Sequence, residues 1–256
     1  MIGDVIGKPG RRAVAALVPA LRRELSADLV IANGENAAAG FGLTEGTAQE
    51  LFDAEVDVIT SGNHIWDQRD VIPVLDQEVA ILRPLNYPPS APGRGLLTQK
   101  GVTVLNLQGR TFMADIDCPF RAADAALAEL PEGSIVVVDM HAEATSEKQA
   151  MGRYLDGRVA AVLGTHTHVP TADARILPGG AAYVTDVGMV GPQESVIGSE
   201  IEAVLERFLT GLPTRLPVAE RSPVVQFNAV LVEIDEATGR ARRIDRIDRE
   251  YIRDGV

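Results

Sequence analysis

Four histidines hold the most informative positions among the residues of this sequence that can do chemistry. Each follows a short apolar run rich in β-branched residues, and together they are all the histidines of the chain: His64, His141, His166 and His168. Such runs predict buried strands, and open α/β sheets bind ligands at the carboxyl ends of their parallel strands. We therefore expect the four imidazoles to converge at one sheet edge, where converging imidazoles indicate a metal site more often than another function.

Carboxylate and amide side chains stand at the other predicted strand ends: Asp4, Glu35, Asn36 and Asn63. Together with imidazoles, such oxygen ligands suit a borderline-hard divalent cation such as Mn, Fe, Co or Zn. The set is too large for one tetrahedral ion, and Glu35 is placed to bridge two ions. Two cations roughly 3.5–4 Å apart can hold a hydroxide between them and clamp the oxygens of a phosphoryl group during in-line displacement.

Each of these signals has a simpler structural explanation when it is taken alone. A His-x-His pair occurs by chance, a buried Asn-His pair is usually a hydrogen-bonded core pair, and Asp4 is also suited to capping a helix. The order in which the signals occur is much harder to obtain by accident: Asp, Glu-Asn, Gly-Asn-His, His and Gly-x-His-x-His. The joint pattern therefore favours a site for two metal ions.

The apolar runs and the helical patterns between them predict an α/β architecture. Buried strands are expected over 28–33, 57–60, 79–82, 134–139 and 158–163. Amphipathic helices are expected over about 9–25, 44–52, 69–75, 120–130, 146–155 and 199–209. Hairpins are expected over 96–107 and 224–247, and the pattern after His168 indicates antiparallel pairing, beginning with a strand over 181–185.

Three local features of these elements carry separate expectations. Asp4 is expected in the loop after a first strand that is either very short or begins upstream of residue 1. Pro19 is expected to kink or restart the first helix. Ser146 is expected to cap the helix that follows His141, although the loop over 143–148 is about equally suited to contact a substrate.

Length and composition restrict the class of protein. A chain of 256 residues with 46% hydrophobic residues is sufficient for one α/β domain, and we expect a single domain over 1–256. The single cysteine, Cys118, rules out an internal disulfide and is typical of a cytoplasmic protein. No membrane segment or signal peptide is expected. The net charge of −12 argues against long nucleic acid as a partner, and an anionic substrate would need a local positive centre such as a metal cluster.

The motifs around the candidate ligands resemble those of the calcineurin-like metallophosphoesterases, and in detail those of the bacterial YmdB-like phosphodiesterases. The segments are Gly-Asp-Val-Ile-Gly-Lys-Pro-Gly, Ala-Asn-Gly-Glu-Asn-Ala-Ala, Gly-Asn-His-Ile-Trp-Asp, His-Ala-Glu-Ala-Thr-Ser-Glu-Lys, Gly-Thr-His-Thr-His-Val-Pro-Thr-Ala-Asp and Thr-Asp-Val-Gly-Met. They span nearly the whole chain. The wider superfamily has Asp-x-His at its first motif and a bridging aspartate at its second; here Val5-Ile6 follow Asp4, and Glu35-Asn36 replace the aspartate. Both departures are typical of the YmdB-like branch.

The resemblance implies a four-layer α/β/β/α sandwich and two divalent metal ions per chain, Fe or Mn in the first place and Zn as the alternative. It implies that Asp4, Glu35, Asn36 and His168 hold the first ion. It also implies that Glu35, Asn63, His141 and His166 hold the second, with Glu35 as the bridge. Asn36 would substitute for the missing histidine of Asp-x-His. His64 has no metal role and is left to act as general acid on the leaving ribose oxygen.

The activity that the resemblance implies is metal-dependent hydrolysis of small phosphodiesters, notably 2′,3′-cyclic nucleotides, by attack of a hydroxide held between the two ions. The alternatives are a phosphomonoesterase, an RNA-cleaving enzyme, and a regulatory metal-binding protein that acts through a partner. A homo-oligomer is compatible with each of them. Asp173 and Asp186 are candidate hydrogen-bond partners for metal-bound imidazoles, although turn or cap roles are about twice as common for such residues.

Overall fold

Two mixed sheets packed face to face form the centre of the structure, which is a computed structural model and describes residues 1–253. In chain order the strands are β1 (Ile2–Val5), β2 (Ile31–Asn33), β3 (Val58–Thr60), β4 (Leu96–Gln99), β5 (Val102–Gln108), β6 (Ile135–His141), β7 (Ala161–Thr165), β8 (Arg175–Ile176), β9 (Ala182–Val184), β10 (Met189–Pro192), β11 (Val224–Asp235) and β12 (Arg240–Ile252). The helices are α1 (Gly7–Glu24), α2 (Glu45–Asp53), α3 (Ile72–Leu75), α4 (Pro119–Glu129), α5 (Thr145–Leu155) and α6 (Ile201–Thr210).

Both sheets are mixed: antiparallel strands lie at one edge of the first sheet and at both edges of the second. The first sheet has the strand order β12-β11-β10-β1-β2-β3, and its parallel strands are β10, β1, β2 and β3. The second sheet has the order β4-β5-β6-β7-β9-β8, and its parallel strands are β5, β6, β7 and β9. Each sheet therefore collects the carboxyl ends of several parallel strands at one of its edges.

Three apolar clusters hold the four layers together. One joins α1 and α2 to the first sheet, through residues such as Val14, Leu51 and Ile59. A second joins α4 and α5 to the other sheet. The third lies between the sheets, where Val58 of the first sheet belongs to the same cluster as Leu163 of the second. The predicted α/β/β/α sandwich is therefore confirmed.

The layer between the sheets changes from apolar to polar along the strands. Side chains alternate between the two faces of a strand, so in β6 the residues Val137, Asp139 and His141 share one face, and Val137 packs in the inter-sheet cluster. In β7, Leu163 packs in that cluster and Thr165 follows it on the same face. Polar groups of both sheets thus meet at the carboxyl end of this layer.

Most predicted elements are present, and the exceptions have identifiable causes. The segment 79–82 forms only isolated bridges, of Ile81 with Ile59 and of Leu82 with Arg94, because the chain passes the sheet edge too briefly for a strand. β9 is parallel to β7 and not antiparallel, and its antiparallel partner is the two-residue β8.

Three local predictions are wrong. Asp4 lies within β1, paired with Met189 in β10, and not in a loop. α1 continues through Pro19, because the face formed by residues such as Val14 and Leu21 packs in the core on both sides of the proline. α5 begins at Thr145 with Ala144 as its N-cap, so Ser146 already lies inside the helix.

Within residues 1–253, none of the helices combines the length and the apolar character needed to cross a lipid bilayer.

Candidate metal centre

The candidate ligands come together from both sheets, and not from one sheet edge as expected. The first sheet supplies Asp4 from within β1, Glu35 and Asn36 from the loop after β2, and Asn63 from the loop after β3. The second supplies His141, the last residue of β6, and His166 and His168 after β7. The sheets pack with their carboxyl edges side by side, so loops distant in sequence meet there.

Four ligand atoms surround a common point at the side nearer the second sheet. His141 Nε2 lies 3.0 Å from Glu35 Oε1, 3.1 Å from Asn63 Oδ1 and 3.0 Å from His166 Nδ1. Atoms of Glu35, His141 and His166 all lie within 4.8 Å of one another, as ligands of one ion must. This group matches the set expected for the second ion.

A second group lies on the other side of Glu35. His168 Nε2 is 3.8 Å from Asp4 Oδ1 and 3.3 Å from the amide of Asn36, which is itself 3.3 Å from Glu35 Oε1. Asp4 Oδ1 is buried and accepts no hydrogen bond from the residues that the structure describes. A buried carboxylate oxygen without a partner costs free energy that a cation would recover. This group matches the set expected for the first ion.

Each of the three candidate histidine ligands is held at the nitrogen that faces away from the cluster. The pairs are His141 Nδ1 with Thr165 Oγ1 (2.9 Å), His166 Nε2 with Glu143 Oε2 (3.1 Å) and His168 Nδ1 with the carbonyl oxygen of Ile197 (2.9 Å). Metal-ligating histidines almost always donate their other N–H to such a partner, which fixes the ring and its tautomer. The residues present therefore fit a metal centre in their orientation as well as in their chemical type.

A buried hydrogen-bond chain extends from His141 into the layer between the sheets. Thr165 Oγ1, which contacts His141 Nδ1, donates to Asp139 Oδ1 at 2.7 Å. The other oxygen of Asp139 accepts from Thr60 Oγ1 at 2.5 Å and from Asn33 Nδ2 at 3.2 Å. Burial raises the pKa of Asp139, against the charge of His141 and these hydrogen bonds. Asp139 therefore links the candidate metal ligand His141 to the first sheet.

Sequence reasoning missed Asp139 and named Asp173 and Asp186 as candidate partners, with turn or cap roles as the commoner alternative for both. Asp173 accepts hydrogen bonds from Thr171 and Thr185 and contacts no imidazole. Asp186 forms a buried ion pair with Lys148, whose Nζ lies 2.6 Å from Asp186 Oδ2.

Asp186 also supports the loop between the two histidines that follow β7. Its Oδ2 accepts from the backbone N–H of Thr167 at 3.1 Å and from the hydroxyl of Thr167 at 2.6 Å. His166 and His168, on either side of Thr167, both have positive φ angles, of 95° and 64°. The Lys148–Asp186 pair thus anchors this loop through its central threonine.

Burial and neighbouring charges shift the pKa values of four side chains in the cluster. Burial opposes ionisation of Glu35, but the charge and hydrogen bond of His141 outweigh it and lower the pKa of Glu35 to about 2. Burial also acts to lower the pKa of His141, and Glu35 followed by Asp4 raises it to about 9. Burial and then repulsion by His141 lower the pKa of His166 to about 3. Burial raises the pKa of Asp4 to about 6, against the charge of His168.

Gly62 is the residue that lets the loop after β3 approach this cluster. A Cβ atom at Gly62 would lie 2.1 Å from Cδ2 of His141 and 2.5 Å from Glu35 Oε2, far inside contact distance. The glycine of the Gly-Asn-His motif is therefore required by close approach, because any side chain would displace a candidate ligand.

His64 faces the same cluster but is held differently from the other three histidines. Its backbone N–H donates to Glu35 Oε2 at 3.1 Å, and its Nδ1 lies 2.8 Å from Asp67 Oδ2. Its ring makes an edge-to-face contact with the ring of Phe41, with centroids 5.1 Å apart. Asp67, three residues after His64, is a partner that the sequence offered and that sequence reasoning did not use.

A pocket of about 270 Å³ opens onto these groups. Glu35, Asn36, His64, His166 and His168 are among the residues that line it. The pocket therefore gives access to candidate ligands of both groups.

Two packed sheets flanked by helices, with carboxylate, amide and imidazole groups gathered at their joint carboxyl edge, define an enzyme of the calcineurin-like phosphoesterase class. The family model for the YmdB-like protein matches residues 1–247. A 2′,3′-cyclic-nucleotide 2′-phosphodiesterase of Bacillus subtilis (strain 168) is 46% identical over 251 residues, which cover 96% of this chain and 94% of that protein. The chain therefore belongs to the YmdB-like family, as its motifs predict.

Solved structures agree with this assignment. A hypothetical protein from Thermus thermophilus has 47% sequence identity and a TM-score of 0.90, with 97% of each chain covered. A novel phosphatase from Mycoplasma pneumoniae has 35% sequence identity and a TM-score of 0.92, with 99% of this chain and 93% of that chain covered.

Proposed function

We propose that this protein is a metal-dependent phosphodiesterase that hydrolyses small phosphodiesters, in the first place 2′,3′-cyclic nucleotides. The observation that carries the proposal is the convergence of Glu35, Asn63, His141 and His166 on one point, with Asp4, Asn36 and His168 on the other side of Glu35. The activity in the name of the 46% identical relative supports the same substrate class.

In this proposal Asp4, Glu35, Asn36 and His168 hold one divalent cation, and Glu35, Asn63, His141 and His166 hold the other. Fe or Mn is the proposed metal and Zn the alternative, because the mixed oxygen and nitrogen ligands suit all three. When bound, two such cations supply the positive charge that attracts a phosphodiester and activate a water molecule for attack on phosphorus. The chain itself, with its net charge of −12, offers no comparable positive centre.

His64 is proposed as the general acid. Asp67 accepts the hydrogen bond of its Nδ1 and fixes the orientation of the ring, which leaves Nε2 to deliver the proton. As the oxygen of a water molecule bonds to phosphorus, the bond between phosphorus and one ribose oxygen breaks, and that ribose oxygen takes the electron pair and receives the Nε2 proton. The product is a nucleoside monophosphate in which one of the two ester oxygens of the cyclic phosphate has become a free hydroxyl. Asp67 acts only through His64 and is a positioning residue.

Two rival functions remain to be tested against this proposal. The site chemistry also suits a phosphomonoesterase or an RNA-cleaving enzyme, but the acidic chain disfavours long RNA. A regulatory metal-binding protein would retain the ligands without needing His64. The cytoplasmic location, predicted from the single cysteine, remains a prediction.

The test compares hydrolysis of 2′,3′-cyclic AMP, a nitrophenyl phosphate monoester and a short RNA by the wild type and by His64→Ala, with the metal content measured on the same samples. We expect the cyclic nucleotide to be the preferred substrate. His64→Ala should keep both metals and lose about 10²- to 10⁴-fold in kcat. Preference for the monoester or RNA would favour the rival enzymes, and metal-loaded protein without any turnover would favour the regulatory function. Undiminished turnover by His64→Ala would disprove the general-acid role.

A further inference from the structure

The pocket over the candidate metal centre is lined by apolar side chains as well as by the candidate ligands. The apolar side chains come from four separate segments of the chain: Ile6, Phe41, Ile197, Leu216 and Val218. We call these five residues the apolar wall. A phosphate bound at the metal ligands therefore has apolar surface within the same small pocket for whatever group it carries.

Phe41 is the aromatic member of the apolar wall, and its backbone is fixed. It stands between Gly40 and Gly42, whose φ angles of +92° and +82° favour glycine. Its carbonyl oxygen accepts a hydrogen bond from Gln68 Nε2 at 2.9 Å. A Cβ at Gly40 would lie 2.8 Å from a methyl carbon of Val218, so the loop can only pack this closely on the wall with glycine there.

The ring of Phe41 nevertheless stays partly open to solvent. The residue is 40% exposed, although it touches the ring of His64 edge to face at an interplanar angle of 75°. A fixed, half-open aromatic ring beside a catalytic histidine is pre-organised to receive a flat partner, because little conformational entropy is lost when the partner binds.

We propose that Phe41 and the apolar wall bind the nucleobase of the substrate while its phosphate lies at the metal ligands. The inference rests on the proposed function and names the part of the substrate that determines affinity. The apolar wall itself carries no polar side-chain group, although Glu143, Thr167 and Ser199 also line the pocket. Binding to the wall depends on stacking, which every base offers, so purine cyclic nucleotides bind more tightly than pyrimidine ones through their larger surface.

The test uses two substrates with the same five-membered cyclic phosphodiester, of which only one has a base: 2′,3′-cyclic AMP and glycerol 1,2-cyclic phosphate. The variants are Phe41→Ala, Phe41→Leu, and Phe208→Ala as a matched control. Phe208 lies on α6, is 81% exposed and does not line the pocket.

We expect Phe41→Ala to raise KM for 2′,3′-cyclic AMP by about tenfold or more with kcat nearly unchanged. Phe41→Leu should have a smaller effect. Any change that Phe41→Ala causes through His64 should affect both substrates equally, so the rise in KM should be larger for 2′,3′-cyclic AMP than for glycerol 1,2-cyclic phosphate. Phe208→Ala should match the wild type on both substrates. A KM effect that is larger for the substrate with a base is the signature that an indirect effect through His64 would not produce.

Two results would overturn the inference. If Phe41→Ala lowers kcat equally on both substrates, Phe41 only positions His64. If it leaves KM for 2′,3′-cyclic AMP unchanged, the base binds elsewhere. Failure of the proposed function looks different, because the wild type would then hydrolyse neither cyclic phosphodiester.

Discussion

Replacement of Thr165 by valine tests the hydrogen-bond chain behind the candidate metal centre. Valine keeps the shape of threonine but removes the hydroxyl that lies between His141 Nδ1, at 2.9 Å, and Asp139 Oδ1, at 2.7 Å. Both of these atoms belong to side chains that are almost completely buried, so water cannot replace the lost partner without a rearrangement.

The size of the effect follows from the two groups that lose a partner. Each buried polar group left unsatisfied costs about 1–3 kcal/mol. Asp139 Oδ2 keeps its bonds to Thr60 and Asn33, which limits the loss at that residue. We therefore expect Thr165→Val to lower the free energy of unfolding by about 2–4 kcal/mol. Because His141 would also lose its fixed orientation, metal affinity should fall by about 10- to 100-fold.

Two control variants separate metal positioning from general stability. Thr60→Val removes a hydrogen bond to the same Asp139 from the opposite sheet but leaves the contact of Thr165 with His141 in place. It should reduce stability and leave metal affinity close to that of the wild type. Thr165→Ser keeps the hydroxyl and should restore most of the metal affinity.

The assay is a chelator titration of the metal-loaded protein, followed by elemental analysis, with denaturant unfolding on the same variants. If Thr165→Val holds metal as tightly as the wild type, the hydroxyl does not position His141. Equal losses of metal affinity in Thr60→Val and Thr165→Val would show that the effect comes from general destabilisation, and the reasoning would be refuted.

Three further predictions concern other contacts. Gly62→Ala would place a methyl carbon 2.1 Å from a candidate ligand ring, so elemental analysis should show about a tenfold loss of bound metal. Gly46→Ala is the control, because its Cβ meets nothing within 4 Å, and it should lose no metal. Equal metal content in the two variants would contradict the steric argument. Burial opposes ionisation of Asp57, but hydrogen bonds from two cations and a backbone N–H outweigh burial and lower the pKa of Asp57. The carboxylate therefore stabilises the fold fully above the pKa of an unfolded aspartate, and this stabilisation is lost as the pH falls through the folded pKa. Urea unfolding of Asp57→Asn should therefore show a loss of about 1 kcal/mol at about pH 7 and a smaller loss at about pH 3, and a pH-independent loss would exclude this linkage. Lys148→Met leaves buried Asp186 without its ion-pair partner and should lower the free energy of unfolding, measured by thermal unfolding, by about 3 kcal/mol. The double variant with Lys148→Met and Asp186→Asn should recover part of this loss. Additive losses of the two single variants would mean that the pair is not coupled.

The candidate site could be predicted from the sequence because its residues follow apolar runs. An apolar run followed by Gly-Asn-His or Gly-Thr-His-Thr-His predicts both a buried strand and the polar edge beyond it. The same logic located Asp4, although this residue lies inside β1 and not after it. Local pattern was sufficient here because each ligand lies at or near the carboxyl end of its own strand.

The residues that hold the candidate ligands in place could not be predicted in the same way. Asp139 stands inside the apolar run of β6, and its partners Thr60 and Asn33 belong to the other sheet. Which faces of two sheets meet is a tertiary property that a single sequence does not state. One signal was present: Asp139 and His141 are two residues apart in a strand, so they share a face.

Strand direction was the other feature beyond local reading. The segment around β9 was expected to be antiparallel, but β9 pairs parallel to β7. A connection of about the right length for a parallel return separates them, and β8 forms within it as the antiparallel neighbour. Pairing direction depends on the path of this connection, which residue types alone do not determine.

The most direct test of the central claim is the metal content of protein purified without added metal, measured together with hydrolysis of 2′,3′-cyclic AMP by the same sample. The account predicts two metal ions per chain and turnover that is lost when a chelator removes them. Replacement of Glu35 by glutamine should reduce both quantities, because this carboxylate lies between the two ligand groups. Full turnover by protein that contains no metal, or full turnover by the Glu35→Gln variant, would contradict the account.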